Sequence, residues 1–238
     1  MKNKLLLLFF LLGVFFPLSA QESEVLISTS HTSLLLSTSQ GGELKFLYYG
    51  RKLTDADVHA IVSTESGSFS AYPVYGLNCP SESALSVQHE DGNMTLQMEV
   101  IGVETTHQEK ANLTVISLKD KVYPFYVKLC YKAYQDVDVI EAWTEISHKE
   151  KKNVKLNQFA SAYLPVRKGN VWLSSLYGAW ANEARLVQEP LEPGMKVIKN
   201  KDGVRNSHTA HAEVMFSLDG QPRENSGRVI GAALCYGS

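Results

Sequence analysis

Apolar and polar residues alternate with period two along most of this chain, and helical spacing hardly appears. In residues 95–100, Leu96, Met98 and Val100 oppose Thr95, Gln97 and Glu99. Tyr123, Phe125, Val127, Leu129 and Tyr131 line one face of the clearest strand. In 139–147, Ile140, Ala142, Thr144 and Ile146 stand opposite Val139, Glu141, Trp143 and Glu145. Residues 154–162, 171–176, 213–218 and 229–236 read the same way. Side chains that point alternately to the two faces of a pleated strand need this pattern when one face is buried. Asp91-Gly92, Asp202-Gly203 and Asp219-Gly220 supply hairpin turns, and Gln40-Gly41-Gly42 separates strands at 34–38 and 44–48. Only 55–62 reads as a short helix, with Thr54 as its N-cap. The expectation is an all-β chain, one large antiparallel sandwich without a domain boundary. Two irregular stretches, 63–83 and 188–211, are long enough to serve function or an interface.

The first residues break this pattern. Lys2 and Lys4 precede an apolar run at 5–16, which ends in Pro17-Leu18-Ser19-Ala20. A basic start, an apolar stretch and a small terminal residue predict a secretory signal peptide over 1–20. As a helix the apolar run reaches about 18 Å, short of a bilayer core of about 30 Å, so it is not read as an anchor. Residues 21–238 are thus expected to work in the periplasm or outside the cell, with no membrane anchor after cleavage. In that oxidising compartment Cys130, within an alternating strand, and Cys235, in Ala232-Ala233-Leu234-Cys235-Tyr236, are expected to be buried small hydrophobes. Cys79 lies in a turn-rich loop and stands apart from them.

Composition narrows the classes. The 238 residues are 44% hydrophobic and 20% charged, which suits a globular protein with a core. Twenty-three basic and 25 acidic side chains leave a net charge of -2, so no nucleic-acid footprint is present. No Gly-rich phosphate loop, His-Glu-x-x-His motif or Gly-x-Ser-x-Gly elbow occurs, and no cofactor is expected. The nearest approach to a metal site is His208-x-x-His211 with Asp202. It offers too few ligands in a segment that reads as loop, so no metal is assigned. Glycosidases need a pair of carboxylates. Glu82, Glu141, Glu145, Glu183 and Asp202 are the candidates, and none takes a catalytic role from sequence. Glu141 and Glu145 alternate with core positions, which suits a solvated face, and Glu183 near Arg185 suits an ion pair. Two aromatic groups are more suggestive: Tyr72-Pro73-Val74-Tyr75-Gly76-Leu77-Asn78-Cys79, and a cluster of Trp172, Tyr177 and Trp180. Both fit sugar binding and interface packing equally. Asn93-Met94-Thr95 and Asn112-Leu113-Thr114 fit glycosylation sequons, though Asn93 after Asp91-Gly92 is more simply a turn residue.

Several segments, in order, resemble the amino-terminal region of the family 36 glycoside hydrolases, the retaining α-galactosidases. They are Tyr72-Pro73-Val74-Tyr75-Gly76, Ser83-Ala84-Leu85, Tyr123-Pro124-Phe125-Tyr126-Val127, and Glu141-Ala142-Trp143-Thr144-Glu145-Ile146. The best is Leu176-Tyr177-Gly178-Ala179-Trp180-Ala181-Asn182-Glu183-Ala184-Arg185. Then come Pro190-Leu191-Glu192-Pro193-Gly194, Gly203-Val204-Arg205-Asn206-Ser207-His208 and Gly227-Arg228-Val229-Ile230-Gly231. The resemblance implies a β-supersandwich that continues past Ser238 into a catalytic (β/α)8 barrel carrying both catalytic aspartates. No catalytic residue would then lie in these 238. It also implies an α-galactoside oligosaccharide as substrate and a homo-oligomer whose 72–83 loop approaches a neighbour's active site. Asn78 and Cys79 become the substrate-binding candidates, with Cys79 where many relatives carry Asp. Tyr177, Trp180, Glu183 and Arg185 become candidates for the barrel interface. The other class is a non-catalytic carbohydrate-binding or adhesion-type sandwich.

Overall fold

The computed structural model describes residues 23–39, 41–64, 69–76, 82–166, 169–199 and 209–235. They form two compact units, the first ending at Pro165 and the second beginning at Val166.

The first unit opens with the strands β1 (Ser23–Ser28), β2 (Thr32–Thr38) and β3 (Leu44–Arg51). The helix α1 (Asp55–Thr64) follows, and the short strand β4 (Phe69–Ser70) completes a sheet in the order β1-β2-β3-β4. After β5 (Leu85–Gln88) the chain makes a four-stranded meander of β6 (Met98–His107), β7 (Ala111–Asp120), β8 (Phe125–Tyr134) and β9 (Ile140–His148). β10 (Lys155–Phe159) returns to pair with β5. All of these ladders are antiparallel. The sheets share one core. Val25, Ile27, Leu34 and Leu36 of the first pack in one cluster with Leu85 and Val87 of the pair and Ile116, Leu118, Val127 and Leu129 of the meander. Burying each such side chain contributes roughly 1.5–3 kcal/mol, so the alternating face dictates which side of each strand turns inward.

The helix starts where the sequence places it and runs two residues further. Thr54 and Asp57 form a reciprocal cap: Asp57 N–H donates to Thr54 Oγ1 at 3.3 Å, and Thr54 N–H donates to Asp57 Oδ2 at 2.9 Å. Val58 then packs against Leu35 and Leu47.

The strand expected at 95–100 begins instead at Met98 and extends to His107, with a register shift between Val100 and Gly102. Leu96 is nevertheless fully buried, so its apolar signal reports core and not strand. β7 was not legible as a strand. Its inward Ile116 and Leu118 are matched by Leu113 and Val115 on the other face, which hides the alternation.

The second unit is one sheet of β11 (Trp172–Ala179), β12 (Asn182–Pro190), β13 (Ala210–Ser217) and β14 (Val229–Ala233), in the order β12-β11-β13-β14. β12 occupies residues expected to be partly irregular. The strand expected at 229–236 stops at Ala233, and this corrects the reading of Cys235. It lies past the last ladder position and is exposed, whereas Cys130 inside β8 is buried as expected.

Candidate functional site

The first candidate is the aromatic loop of the first unit. Its entry is built into the core: Tyr72 is buried and its hydroxyl donates to Ala160 O at 2.8 Å. Burial pushes the Tyr72 phenol above its ordinary value, so it stays neutral near pH 7. Val74 bridges to Leu85, and Tyr75 N–H donates to Leu85 O at 2.9 Å. Gly76 has φ of 104°, and a Cβ there would come within 2.7 Å of Thr95 Cα. Only glycine fits that approach. The loop's exit is tied as firmly. Ala84 N–H donates to Pro73 O at 2.7 Å, while Gln158 Nε2 donates to Glu82 Oε1 at 3.0 Å and to Ser83 O at 2.8 Å. Asn78 and Cys79 lie outside the described residues, as do Asp202, His208 and residues 1–20. The described residues on either side, up to Gly76 and from Glu82 on, are thus each tied into the sheets, with Tyr75 half exposed.

The second candidate is the tip of the β11–β12 hairpin. Tyr177 stands opposite Arg185 in register, and Trp180, in the turn, is 82% exposed. Ala181 and Ala184 both take positive φ, 59° and 56°, an arrangement that costs about 1–2 kcal/mol per non-glycine residue. Glu183 does not pair with Arg185, in contrast to the ion pair read from sequence. Its Oε1 accepts from Ala181 N at 3.1 Å and closes the turn instead. The turn therefore displays Tyr177, Trp180, Glu183 and Arg185 together at one hairpin end. Trp172 is not part of that group. It sits at the far end of β11, about 25 Å along an extended strand.

No pair of the glutamate candidates converges on a shared space. Glu82 holds Gln158, Glu141 accepts from Tyr134 OH at 2.9 Å, and Glu145 accepts from Trp143 Nε1 at 3.3 Å. Glu145 also faces Cys130, whose thiol is pushed up to about 11 by burial and by that carboxylate. Among the described residues no group of three His, Cys, Asp or Glu side chains is placed to hold a metal. His211 is drawn instead toward Glu213, at 3.5 Å. Among them also, no helix is long and apolar enough to cross a membrane. Asn93 is a turn residue: its N–H donates to Asp91 Oδ1 at 2.9 Å, and its Oδ1 accepts from Thr95 N at 3.0 Å.

Residues 42–238 match the family described as the glycosyl hydrolase family 36 N-terminal domain. Over 132 residues the chain is 29% identical to an α-galactosidase of Lactobacillus acidophilus, a stretch that covers 56% of this chain and 18% of that protein. The fold superposes on a variant α-galactosidase of Geobacillus stearothermophilus in complex with raffinose, with a TM-score of 0.78 and 20% identity. That match covers 88% of this chain and 33% of the other. The α-galactosidase of Lactobacillus brevis gives a TM-score of 0.72 at 19% identity, covering 85% and 32%. The chain thus spans about a third of the length of these solved structures.

Proposed function

We propose, on the premise that this chain belongs to glycosyl hydrolase family 36 as its N-terminal domain, that the protein containing it is an α-galactosidase. The observation that carries this reading is the family match across 42–238, over strands whose ladders form the same sandwich fold as solved α-galactosidases. Its substrate in this reading is an oligosaccharide with a terminal α-linked galactose, hydrolysed with retention by double displacement.

Retention requires a nucleophilic carboxylate and an acid/base carboxyl about 5–5.5 Å apart. Glu82, Glu141, Glu145 and Glu183 are taken up by hydrogen bonds from Gln158, Tyr134, Trp143 and the Ala181 N–H, and in this reading both catalytic groups belong to a (β/α)8 barrel beyond Ser238. The sandwich then has two tasks. The tip carrying Tyr177, Trp180, Glu183 and Arg185 gives the barrel a docking surface. The loop at 72–83, anchored at Gly76 and Ala84, carries Asn78 and Cys79 toward the mouth of a sugar site, that of an adjacent subunit in a homo-oligomer. Residues 1–20 export the enzyme to the periplasm or the medium.

The test compares the full-length protein with residues 21–238 on an aryl α-galactoside. Expected is hydrolysis by the full-length protein with retained anomeric configuration, read by proton NMR, and none by the shorter piece above a buffer blank. Activity in the shorter piece would place the carboxylates within these sheets. Asn78→Ala in the full-length enzyme tests the loop. Losing one hydrogen bond to a sugar hydroxyl, worth about 0.5–1.5 kcal/mol net, lowers kcat/KM roughly 2–13-fold without moving the thermal midpoint. Unchanged kinetics would remove the loop from the site.

A further inference from the structure

Trp172, Ser217 and Val229 stand side by side in the second unit's sheet, where β11, β13 and β14 run in register. The 218–228 connection folds beside this rung and borders an open groove of about 580 Å3. That lies within the 300–1,000 Å3 typical of small-molecule sites.

The groove is built, and its parts are held in place. Trp172 provides one wall, and its indole Nε1 donates to Asn170 Oδ1 at 3.1 Å, which sets the ring's orientation. The facing loop is pinned by a forked pair. Arg228 Nη2 donates to Asp219 Oδ1 at 2.6 Å, Nε donates to Oδ2 at 3.1 Å, and the Arg228 N–H donates to Oδ2 at 2.9 Å. Gly220 has φ of 108°, and a Cβ there would come within 3.2 Å of Asn170 Nδ2. The bare glycine lets the loop close over the carboxamide. Ser217 lies in the groove's floor, 3% exposed, and its hydroxyl is buried with no partner. Gln221 and Arg223 line the same groove with no side-chain partner among the described residues.

These groups select a ligand class. Carboxamides and a hydroxyl both donate and accept, which matches a ligand whose own groups do both. A sugar ring has that character at its edge and an apolar C–H face that lies flat on an indole. A phosphate or carboxylate ligand wants a concentration of positive charge, whereas here Asp219 is paired with Arg228 and Arg223 is the single unpaired charge among the described lining residues. We propose that this groove binds one or two rings of an uncharged oligosaccharide, stacked on Trp172 and held at the rim by Gln221 and Arg223. The inference rests on the groove's own chemistry and does not depend on the hydrolase reading.

The intact protein is titrated at low temperature with raffinose, maltotriose, cellotriose and glucuronate. Binding is read by saturation-transfer NMR and by tryptophan emission, with thermal midpoints recorded alongside. Expected is binding of at least one trisaccharide that Trp172→Ala weakens tenfold or more, in the range of about 10-fold per 1.4 kcal/mol. Gln221→Ala, on an exposed loop, is expected to weaken it about 2–10-fold at an unchanged midpoint, and keeps the test decisive if Trp172→Ala does not fold. Trisaccharide signals that neither variant diminishes, or no signal at all, overturn the proposal. Binding confined to glucuronate and abolished by Arg223→Ala overturns it too, in favour of an acid site.

Discussion

His89 and Glu150 meet at 2.8 Å, Nδ1 to Oε1, with their side chains 0% and 2% exposed. The pair ties together three loops of the first unit. Tyr123 lies flat on the His89 ring at 3.7 Å between centroids, and Phe125 meets the same ring edge-on. Glu90 N–H donates to Glu150 Oε2 at 3.2 Å, and the Tyr123 hydroxyl donates to Asp91 Oδ2 at 2.8 Å. Deleting one partner of a buried hydrogen bond leaves the other unsatisfied at about 1–3 kcal/mol. His89→Ala is expected at the upper end, about 3 kcal/mol, because the ring stacked on Tyr123 is lost with the hydrogen bond, while Glu150 keeps the Glu90 amide. Urea unfolding of wild type and variant measures this, with Glu104→Ala on the exposed part of β6 as a surface control expected to cost under about 1 kcal/mol. A His89→Ala loss no larger than that control would show the pair to be dispensable.

Asp120 is a second buried carboxylate with a purely architectural assignment. It is 1% exposed, at the end of β7. Its Oδ1 accepts from the N–H groups of Val122 and Tyr123, both at 2.8 Å, and Oδ2 accepts from Gln97 N at 2.6 Å. Asp120→Ala leaves three backbone donors without a partner, at about 1–3 kcal/mol for each one that water cannot reach. Expected is a loss above about 3 kcal/mol. A midpoint in denaturant equal to wild type would show that water takes over the site.

Asp138 gives the acid side of the stability profile. Its Oδ1 accepts from Thr29 Oγ1 at 2.6 Å and from His31 N at 3.0 Å. The Thr29 hydrogen bond, with those from His31, holds the carboxyl below its ordinary value of 3.8. The folded value is thus the lower one. The stabilisation is complete above the ordinary carboxylate range and is lost as pH falls through the folded value. Asp57, Asp91 and Asp219 shift in the same direction, through hydrogen bonds from Thr54, Asn93 and Arg228. Thermal midpoints are expected to fall below about pH 4, and less steeply in Asp138→Asn. An equally steep fall in that variant would take Asp138 out of the linkage.

The two described thiols should differ sharply. Cys130 is buried, and with its thiol at about 11 roughly one molecule in a thousand carries a thiolate at pH 8. Cys235 is exposed. Alkylation of the native protein followed by peptide mapping should label Cys235 and spare Cys130 until denaturant is added. Native labelling of Cys130 would mean that β8 and β9 open readily.

What the sequence determined by itself is the class of fold and most of its strands. Period-two alternation identifies β8, β9 and β13 because one face of each is apolar, and Thr54 marks the helix start through local hydrogen bonding alone. The resemblance carried by short segments, such as Tyr72-Pro73-Val74-Tyr75-Gly76, likewise needs no folded chain. Tertiary structure decided what depends on partners distant in sequence. β7 hides its alternation because both faces carry apolar groups, so only pairing with β6 and β8 places it. Trp172, read as a neighbour of Trp180, is carried to the other end of the strand and meets Ser217 and the 218–228 connection there. Glu183, read as an ion-pair partner of Arg185, is turned back to Ala181 by the positive φ angles of its hairpin. His89 and Glu150 carry no mark in the sequence, since an isolated His and Glu 61 residues apart acquire meaning only when the sheets bury them together. Alternation and caps are set by neighbours a few residues away, whereas a site is set by which strands lie side by side, a property of the whole ladder.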